Sequence, residues 1–446
     1  MFDPADIESL RKALDSLAQG FSDLPDFLPD IDRGALDAVL VEAAGRMQEN
    51  YPYHHPLYAG QMLKPPHPVA RLAYAMSLWL NPNNHALDGG IASSAMEKEC
   101  IAALGSLFGW DNPLGHICGG GTMANLEALW VAGRIHPGKQ IIASEQAHYT
   151  HGRITEVLSI PFDHAAVSPD GRMSIDSLKD MLAEGDVGTV VVTLGTTGTG
   201  AFDPLPAILD LREKHGLRIH VDAAYGGYFG ISSQLDEHAQ RAFERIHEAD
   251  SIVIDPHKHG LQPYGCGCIL FNDPGVGKFY KHDSPYTYFS SGDLHLGEIG
   301  LECSRPGASA VALWATQKLL PMNPGGEFAQ SLDRCLSAAR SLWKRLDESE
   351  HFKCLMPPEI DIVVYAANAE DAASSSRKAR KIFNRAAGEN LHLALIELPT
   401  IMVRHYWPDL KGEEESITCL RSCLMKPEHL DWIDRIDMIL ESAANQ

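Results

Sequence analysis

Lys258 and Asp222 each stand at or just beyond the end of a short apolar run that predicts a buried strand, at residues 251–254 and 218–221. In an open α/β sheet, side chains at the carboxyl ends of strands face the crevice where ligands bind. A lysine in that crevice can form an imine with an aldehyde, and a carboxylate can hold a protonated ring nitrogen. A loop lysine and a helix N-cap would look the same, so the neighbouring segments decide between the two interpretations.

Three further segments have the composition of the same kind of site. Glycines 119–121 precede a predicted helix that opens at Thr122, an arrangement that lets backbone N–H groups approach a phosphate. His148 follows the apolar run of KQIIASEQAH, and Thr196 and Thr197 follow the β-branched run of VGTVVVTLGTTGTG. Taken singly, each segment has an ordinary structural interpretation: the glycines form a tight connection, the histidine packs at a strand end, and the threonines are turn residues. The glycine loop lacks the Gly-Lys-Ser/Thr ending of an NTPase loop, which disfavours nucleotide binding.

The order of these motifs along the chain is more specific than any one of them. The succession GGGTMAN, SEQAH, TLGTTGTG, HVDAAYGG and DPHK resembles the group II pyridoxal phosphate (PLP)-dependent amino-acid decarboxylases, over residues from about 53 to about 427. This family includes aromatic-amino-acid, glutamate, diaminobutyrate and archaeal tyrosine/aspartate decarboxylases. The resemblance implies an α/β protein of the PLP-dependent transferase-like fold type I. It also implies α-decarboxylation of an L-amino acid to an amine and carbon dioxide.

The resemblance assigns catalytic roles residue by residue. Lys258 matches the lysine that holds PLP, Asp222 the partner of the pyridine nitrogen, and His148 the histidine stacked on the ring. The other implied cofactor contacts are Gly121, Thr122, Thr197, Ala224 and His257. Some members have asparagine where this chain has Asp255, and a carboxylate there would repel a phosphate. We therefore expect Asp255 to turn away or to be neutralised.

The family has a mobile catalytic loop whose tyrosine protonates the substrate carbon. In KFYKHDSPYTYFSSGD, Tyr288 aligns best with that tyrosine and Tyr286 is second. A tyrosine at this position favours the amine product, whereas phenylalanine accompanies oxidative deamination in the family. A surface-loop aromatic is the alternative interpretation of both residues.

Substrate contacts are expected in two segments. The implied pocket residues are Tyr58, Gln61, Met62 and Arg421. Arg421 matches an arginine that grips a substrate carboxylate, a task that suits the bidentate guanidinium, and a structural ion pair is its alternative. Gln61 is shared with glutamate decarboxylases, whereas other segments are closest to archaeal tyrosine/aspartate decarboxylases. The substrate class therefore stays open between acidic and aromatic amino acids. Arg305 is expected either to serve the partner subunit's cofactor or to form a surface ion pair.

Composition restricts the possible partners. The 446 residues include 37 basic and 59 acidic residues, a formal charge of −22, which argues against nucleic acid and anionic lipid as partners. An apolar run long enough to span a membrane is absent from the sequence, and the acidic N-terminus is unlike a secretory signal. Nine scattered cysteines are typical of a reduced, cytoplasmic protein. The spacing of His54, His55 and His67, with interspersed prolines, argues against a metal site.

The sequence suggests three regions. Residues 1–55 are predicted to be a helical dimerisation segment, residues 56–330 a large PLP-binding domain with a mostly parallel sheet, and residues 331–446 a small α+β domain. In the small domain, residues 392–407 are predicted to be an extended strand. Family members are homodimers with shared active sites, so we expect a homodimer. The competing hypotheses are a PLP-dependent carbon–carbon lyase of the sphingosine-phosphate lyase type and a PLP-binding protein without catalysis.

Overall fold

Short runs rich in valine and isoleucine form a seven-stranded sheet in the computed structural model, which describes residues 3–281 and 294–445. Its strands are β1 (Leu114–Cys118), β2 (Gln140–Ser144), β3 (Phe162–Ala165), β4 (Val187–Thr193), β5 (Arg218–Asp222), β6 (Ser251–Ile254) and β7 (Gly267–Phe271). The order across the sheet is β1-β7-β6-β5-β4-β2-β3; β7 is antiparallel to both neighbours, and the pairs from β6 to β3 are parallel. Every residue of β4 to β7 is buried, as in a sheet covered on both faces. The predicted α/β class is confirmed.

The helices of the described residues include those that cover this sheet and connect its strands. They are α1 (Pro4–Gln19), α2 (Arg33–Met47), α3 (Pro68–Ser77), α4 (Ile91–Leu107), α5 (Gly121–Ile135), α6 (Thr150–Leu158), α7 (Ile175–Glu184), α8 (Leu205–His215), α9 (Glu237–Arg245), α10 (Gly307–Leu319), α11 (Glu327–Glu348), α12 (Ala372–Gly388), α13 (Thr400–Tyr406) and α14 (His429–Asn445). Helix α5 packs on β5, β6 and β7, and α10 packs on α3 and α4. The helix predicted to open at the glycine loop is α5.

A second, antiparallel sheet has its own core. Its strands are β8 (Phe352–Cys354), β9 (Ile362–Ala367), β10 (Ala394–Pro399) and β11 (Ser416–Cys423), in the order β10-β11-β9-β8. Helices α11, α12 and α14 pack together on this sheet and bury an apolar cluster. The strand predicted over residues 392–407 is wrong in its second half. It ends at Pro399, which has no N–H for the sheet, and α13 begins at Thr400.

The two N-terminal helices are largely uncovered. Helix formation was predicted for this region, and α1 and α2 confirm it, but neither helix has a buried residue. Large apolar side chains here face solvent, with Leu28 at 90%, Phe27 at 85% and Val41 at 72% exposure. An apolar surface of this kind marks a site of association. The predicted domain boundaries at residues 55 and 330 stay predictions.

Three simple properties complete the description of the fold. The helices within residues 3–281 and 294–445 do not combine the length and apolar character needed to cross a membrane. All nine cysteines are free, and Cys266 and Cys268 are buried at the start of β7. Over the same described ranges, groups of three or more histidine, cysteine, aspartate or glutamate side chains are not arranged to hold a metal ion.

Arg305 forms a buried ion pair behind β1. Its Nη1 lies 2.9 Å from Glu97 Oε1, and both side chains are almost wholly excluded from solvent. Glu97 also accepts hydrogen bonds from the Ile117 amide at 2.9 Å and the Asn84 side chain at 2.6 Å. The prediction of a surface ion pair is therefore wrong, because the partner carboxylate lies on the inner face of α4. Contact of Arg305 with a partner subunit's cofactor stays a prediction.

Replacing Arg305 should destabilise the fold more than replacing an exposed arginine. Arg305→Met leaves Glu97 buried without its counter-charge, which should lower the free energy of unfolding by about 3–5 kcal/mol. Arg380→Met removes an exposed pair with Glu397 and should cost at most about 1 kcal/mol. Urea unfolding followed by tryptophan fluorescence measures both. Equal midpoints for the two variants would contradict a stabilising role of the buried pair.

Candidate active site

The carboxyl ends of β2, β4, β5 and β6 meet at one edge of the large sheet. Asp222 is the last residue of β5 and pairs in register with Thr193 at the end of β4, whereas Lys258 follows β6 and His148 follows β2. A cavity of about 510 Å³ opens at this edge. The eight residues predicted to contact the cofactor all line it, namely Gly121, Thr122, His148, Thr197, Asp222, Ala224, His257 and Lys258.

The glycine loop forms one wall of the cavity and the start of α5. Gly120 has a φ of 146°, and a Cβ at Gly121 would lie 2.7 Å from Asp255 Oδ2, so both positions require glycine. The first N–H groups of a helix have no partner within it and attract anions. Next to Gly120, His257 donates from Nδ1 to the Cys266 carbonyl at 2.9 Å, and burial lowers its pKa. The wall is therefore a cradle of backbone N–H groups beside a fixed imidazole.

Lys258 is held beside the cradle by Asp255. Its Nζ lies 3.0 Å from Asp255 Oδ2, and the backbone N–H of Lys258 donates to the Asp255 carbonyl at 2.9 Å. Asp255 does not turn away from the cavity; it is buried and its carboxylate is compensated by the lysine. Its other oxygen, Oδ1, has no hydrogen-bond partner among the described residues. Of the two expectations for this carboxylate, the structure therefore favours neutralisation.

Asp222 receives three hydrogen bonds. Oδ2 accepts from His151 Nε2 at 3.0 Å and from Asn125 Nδ2 at 3.3 Å, and Oδ1 accepts from the Ala224 amide at 3.1 Å. Burial by itself would raise the pKa of Asp222, but the hydrogen bond and charge of His151, together with Lys258, hold it well below its usual range. Asp222 is therefore an anion at the bottom of the cavity.

A second layer of hydrogen bonds fixes the orientation of Asn125. Because Asn125 donates its amide to Asp222, its Oδ1 is free to accept from His220 Nε2 at 2.8 Å. His220 Nδ1 must then accept from the Ser251 hydroxyl at 2.9 Å. Burial lowers the pKa of His220 to about 3, so this ring is neutral. The tautomer that fits both hydrogen bonds carries its proton on Nε2. The network ties α5, β5 and β6 together below the carboxylate.

His148 lines the cavity as a half-buried neutral ring. Burial lowers its pKa, although the nearby Asp222 acts in the opposite sense. Its Nδ1 accepts from the Thr150 amide at 3.2 Å, and its ring is stacked on Tyr149 at 4.5 Å. These contacts fix the position of the imidazole from outside the cavity. Its inner face can therefore cover a planar ligand.

The predicted substrate residues do not line the cavity itself but lie next to it. Arg421 is buried on β11, donating from Nη1 to the Thr197 carbonyl at 2.8 Å and from Nη2 to Gln61 Oε1 at 3.2 Å. The Tyr58 hydroxyl accepts from the Gln61 amide at 3.3 Å, and Met62 packs against the main core. Within the described part of the chain, Arg421 has no carboxylate in ion-pair contact, which weighs against a structural ion pair.

The sequence did not predict the two side chains that hydrogen-bond to Asp222, those of His151 and Asn125. His151 lies one helical turn after His148, and Asn125 lies one turn after Gly121. The point at which each helix begins therefore brings its side chain close to Asp222. The spacing of HYTH was the available signal for His151. Tyr288 and Tyr286 lie outside the described residues, and the role assigned to that loop stays a prediction.

The cavity has the donor set that a phosphorylated pyridine aldehyde requires. The cradle suits a phosphate, Lys258 suits an aldehyde, and Asp222 suits a protonated ring nitrogen, and all three line one cavity. Thr193 Oγ1 is buried in the same wall without a hydrogen-bond partner among the described residues. An orphaned hydroxyl in a cavity wall is costly unless a ligand or water satisfies it. These residues therefore fit PLP.

Comparison with known proteins agrees with this geometry. The family profile described as "Pyridoxal-dependent decarboxylase conserved domain" matches residues 130–368. The chain is 30% identical over 312 residues to a probable L-tyrosine/L-aspartate decarboxylase of Methanothermobacter thermautotrophicus, covering 69% of this chain and 82% of the relative. It is 28% identical over 355 residues to the L-aspartate decarboxylase of Thermococcus kodakarensis, covering 78% of this chain and 89% of the relative.

The fold is also that of solved decarboxylase structures. Oryza sativa TDC, crystallised with PLP and tryptamine, superimposes with a TM-score of 0.79 at 16% identity, over 100% of both chains. At this identity the likeness concerns the fold alone. The family match and the similar relatives carry the assignment further: the chain belongs to the pyridoxal-dependent decarboxylase family and is an amino-acid carboxy-lyase that uses PLP.

Proposed function

We propose that Lys258, Asp222 and His148 are the catalytic residues of this decarboxylase, and that the substrate is an acidic L-amino acid. The observation that carries the assignment is that the buried anionic Asp222, Lys258 and an N–H cradle line one cavity. Lys258 would hold the aldehyde carbon of PLP, and the first turn of α5 its phosphate. Bound PLP supplies an electron sink for the pair left when the Cα–carboxylate bond breaks.

The other residues orient the reacting groups and handle protons. Asp222 would keep a proton on the pyridine nitrogen, because separating a buried anion from its counter-charge is expensive. His148 would cover the ring, fix its tilt and exclude water. Proton delivery to the substrate carbon is assigned to Tyr288, with Tyr286 as the alternative. With a tyrosine in this role the expected product is the amine.

Arg421 supports an acidic substrate. A buried guanidinium held by a carbonyl and an amide oxygen, with no ion-pair contact to a carboxylate of the described residues, can accept one from a ligand. Both similar relatives carry aspartate in their names, which favours the same substrate class here. Tyrosine, named in one of them, is the second candidate. Tyr58, Gln61 and Met62 would contact the substrate side chain.

The exposed apolar residues of α1 and α2 support a homodimer. A second copy of the chain related by a two-fold axis would cover the same patch on both subunits. Membership of the decarboxylase family argues against the carbon–carbon lyase and the non-catalytic homologue. A cytoplasmic location stays a prediction.

A substrate panel tests the proposed activity directly. Purified protein loaded with PLP should release labelled carbon dioxide and the matching amine from L-aspartate or L-glutamate faster than from L-tyrosine. Lys258→Ala is the control and should lose turnover by orders of magnitude, because it removes the amine that holds the aldehyde. Mass spectrometry of the amine products measures the outcome. Preferential turnover of aromatic amino acids would overturn the acidic assignment while leaving decarboxylation intact.

His151 should control turnover through Asp222. His151→Leu removes a hydrogen bond to a buried carboxylate, worth about 1.5–3 kcal/mol, so kcat should fall about 10-fold to 100-fold with KM little changed. His151→Gln keeps an N–H donor and should recover part of the loss. The pH profile of kcat and the cofactor absorption band should shift in the leucine variant. Wild-type kcat and an unmoved pH profile in His151→Leu would exclude the role.

Arg421 should control affinity for the substrate carboxylate. Arg421→Met should raise KM for the acidic substrate about 10-fold to 100-fold, the loss expected for one charge-assisted contact. Arg421→Lys keeps the positive charge but not the two parallel N–H donors of the guanidinium, so its KM should lie between those of the wild type and Arg421→Met. Arg377→Met, an exposed arginine on α12, is the matched control and should leave KM unchanged. A KM for Arg421→Met equal to that of the control would assign Arg421 a structural role.

A further inference from the structure

A second cavity of about 510 Å³ shares no lining residue with the active-site cavity. Its walls come from the start of α1, the segment from residue 64 into α3, the start of α11, and two short segments at residues 259–261 and 426–428. Lys258 faces the active-site cavity, and the next residue, His259, faces this one. The proposed chemistry uses none of the side chains that line the second cavity.

Two lysines line this cavity, and each donates to a backbone carbonyl. Lys426 is 4% exposed, and its Nζ donates to the Tyr58 carbonyl at 2.7 Å; Lys64 donates to the Met425 carbonyl at 3.0 Å. Neither has a carboxylate in ion-pair contact within the part of the chain that the structure describes. Burial lowers the pKa of both amines. For Lys426 the nearby charge of Lys64 adds to this effect, and the pKa falls to about 7. Each amine nitrogen therefore keeps N–H donors beyond the one that the carbonyl uses.

The rim of the cavity has the opposite charge. Asp3, Glu327 and Glu428 are exposed side chains at its border. Arg71, also at the border, is already paired with Asp6. A large polyanion would meet repulsion on entry, whereas a ligand with one anionic and one cationic end matches the two lysines and the rim together.

We propose that this cavity is a second ligand site for a small zwitterion of the amino-acid class. Its carboxylate would lie between Lys64 and Lys426, and its ammonium group would face the acidic rim. The binding itself does not depend on the proposed substrate of the active site.

A polar connection links the two cavities. Tyr225 lines the active-site cavity and donates to Asp361 Oδ1 at 2.9 Å, and His259 Nε2 lies 3.1 Å from Asp361 Oδ2. All three residues are buried. Lys426 forms a second connection, because it holds the backbone of Tyr58 and lies 5.3 Å over the Tyr58 ring, in the expected substrate wall. Occupancy of the second cavity should therefore alter KM at the active site, an effect that rests on the proposed function.

Calorimetry on the borohydride-reduced holoenzyme tests binding with the active-site lysine permanently blocked. Glycine, β-alanine and γ-aminobutyrate are the zwitterionic probes, with acetate and methylamine as single-charge probes. At least one zwitterion should bind at least 10-fold more tightly than acetate, and methylamine should not bind. Lys64→Met and Lys426→Met should each weaken that binding at least 10-fold. Lys344→Met, an exposed lysine of α11, is the matched control and should bind as wild type.

A substitution at an exposed residue of the rim tests the site without removing a buried side chain that the fold could require. Glu428→Gln should weaken binding of the zwitterion but not of acetate, and its circular dichroism should match wild type. Absence of binding by all three zwitterions, or equal binding by both lysine variants and the control, overturns the second site. Acetate binding as tight as the best zwitterion overturns the zwitterionic assignment. These readouts need no turnover, so they remain decisive if the proposed substrate is wrong.

Discussion

The proposed active site depends on keeping one buried carboxylate ionised. Asp222 is buried at the end of β5, and burial alone would raise its pKa. Two side-chain donors and one backbone amide oppose that tendency, and a neutral imidazole holds one of the donors in place. The polar layer below the cavity thus exists to maintain a charge, and the parallel sheet supplies the strand ends on which it is built.

Charge compensation also explains the acidic residue beside the cradle. Asp255 would repel a phosphate if it were alone, yet it lies 3.0 Å from Lys258 and shares the floor of the site with it. The close approach of Asp255 to Gly121 leaves no room for a Cβ there. The glycine loop, the lysine and the carboxylate therefore constrain one another. A change at any of the three would alter both the space for the phosphate and the charge that faces it.

The sequence predicted the strand ends better than the contacts between them. Apolar runs located β5 and β6, and the eight expected cofactor residues all line one cavity, because parallel strands bring their carboxyl ends to one edge. His151 and Asn125 were missed, since their role depends on where two helices begin relative to Asp222. The burial of Arg305 against Glu97 was missed for a similar reason, because partners 208 residues apart leave no local signal. The chain past Pro399 was predicted as strand from its apolar residues alone, although proline ends the ladder.

Helix α1 would connect the proposed dimer to the second cavity. Helix α1 contributes Asp6, and its N-cap Asp3, to the rim of that cavity and packs on α3, yet the helix buries none of its own residues. A helix with so little burial gains little stability from its own subunit, so its position depends on what covers its outer face. A second subunit on that face would fix the acidic rim above Lys64 and Lys426. Dimer formation and ligand binding in the second cavity would then stabilise each other, because both favour the same position of α1.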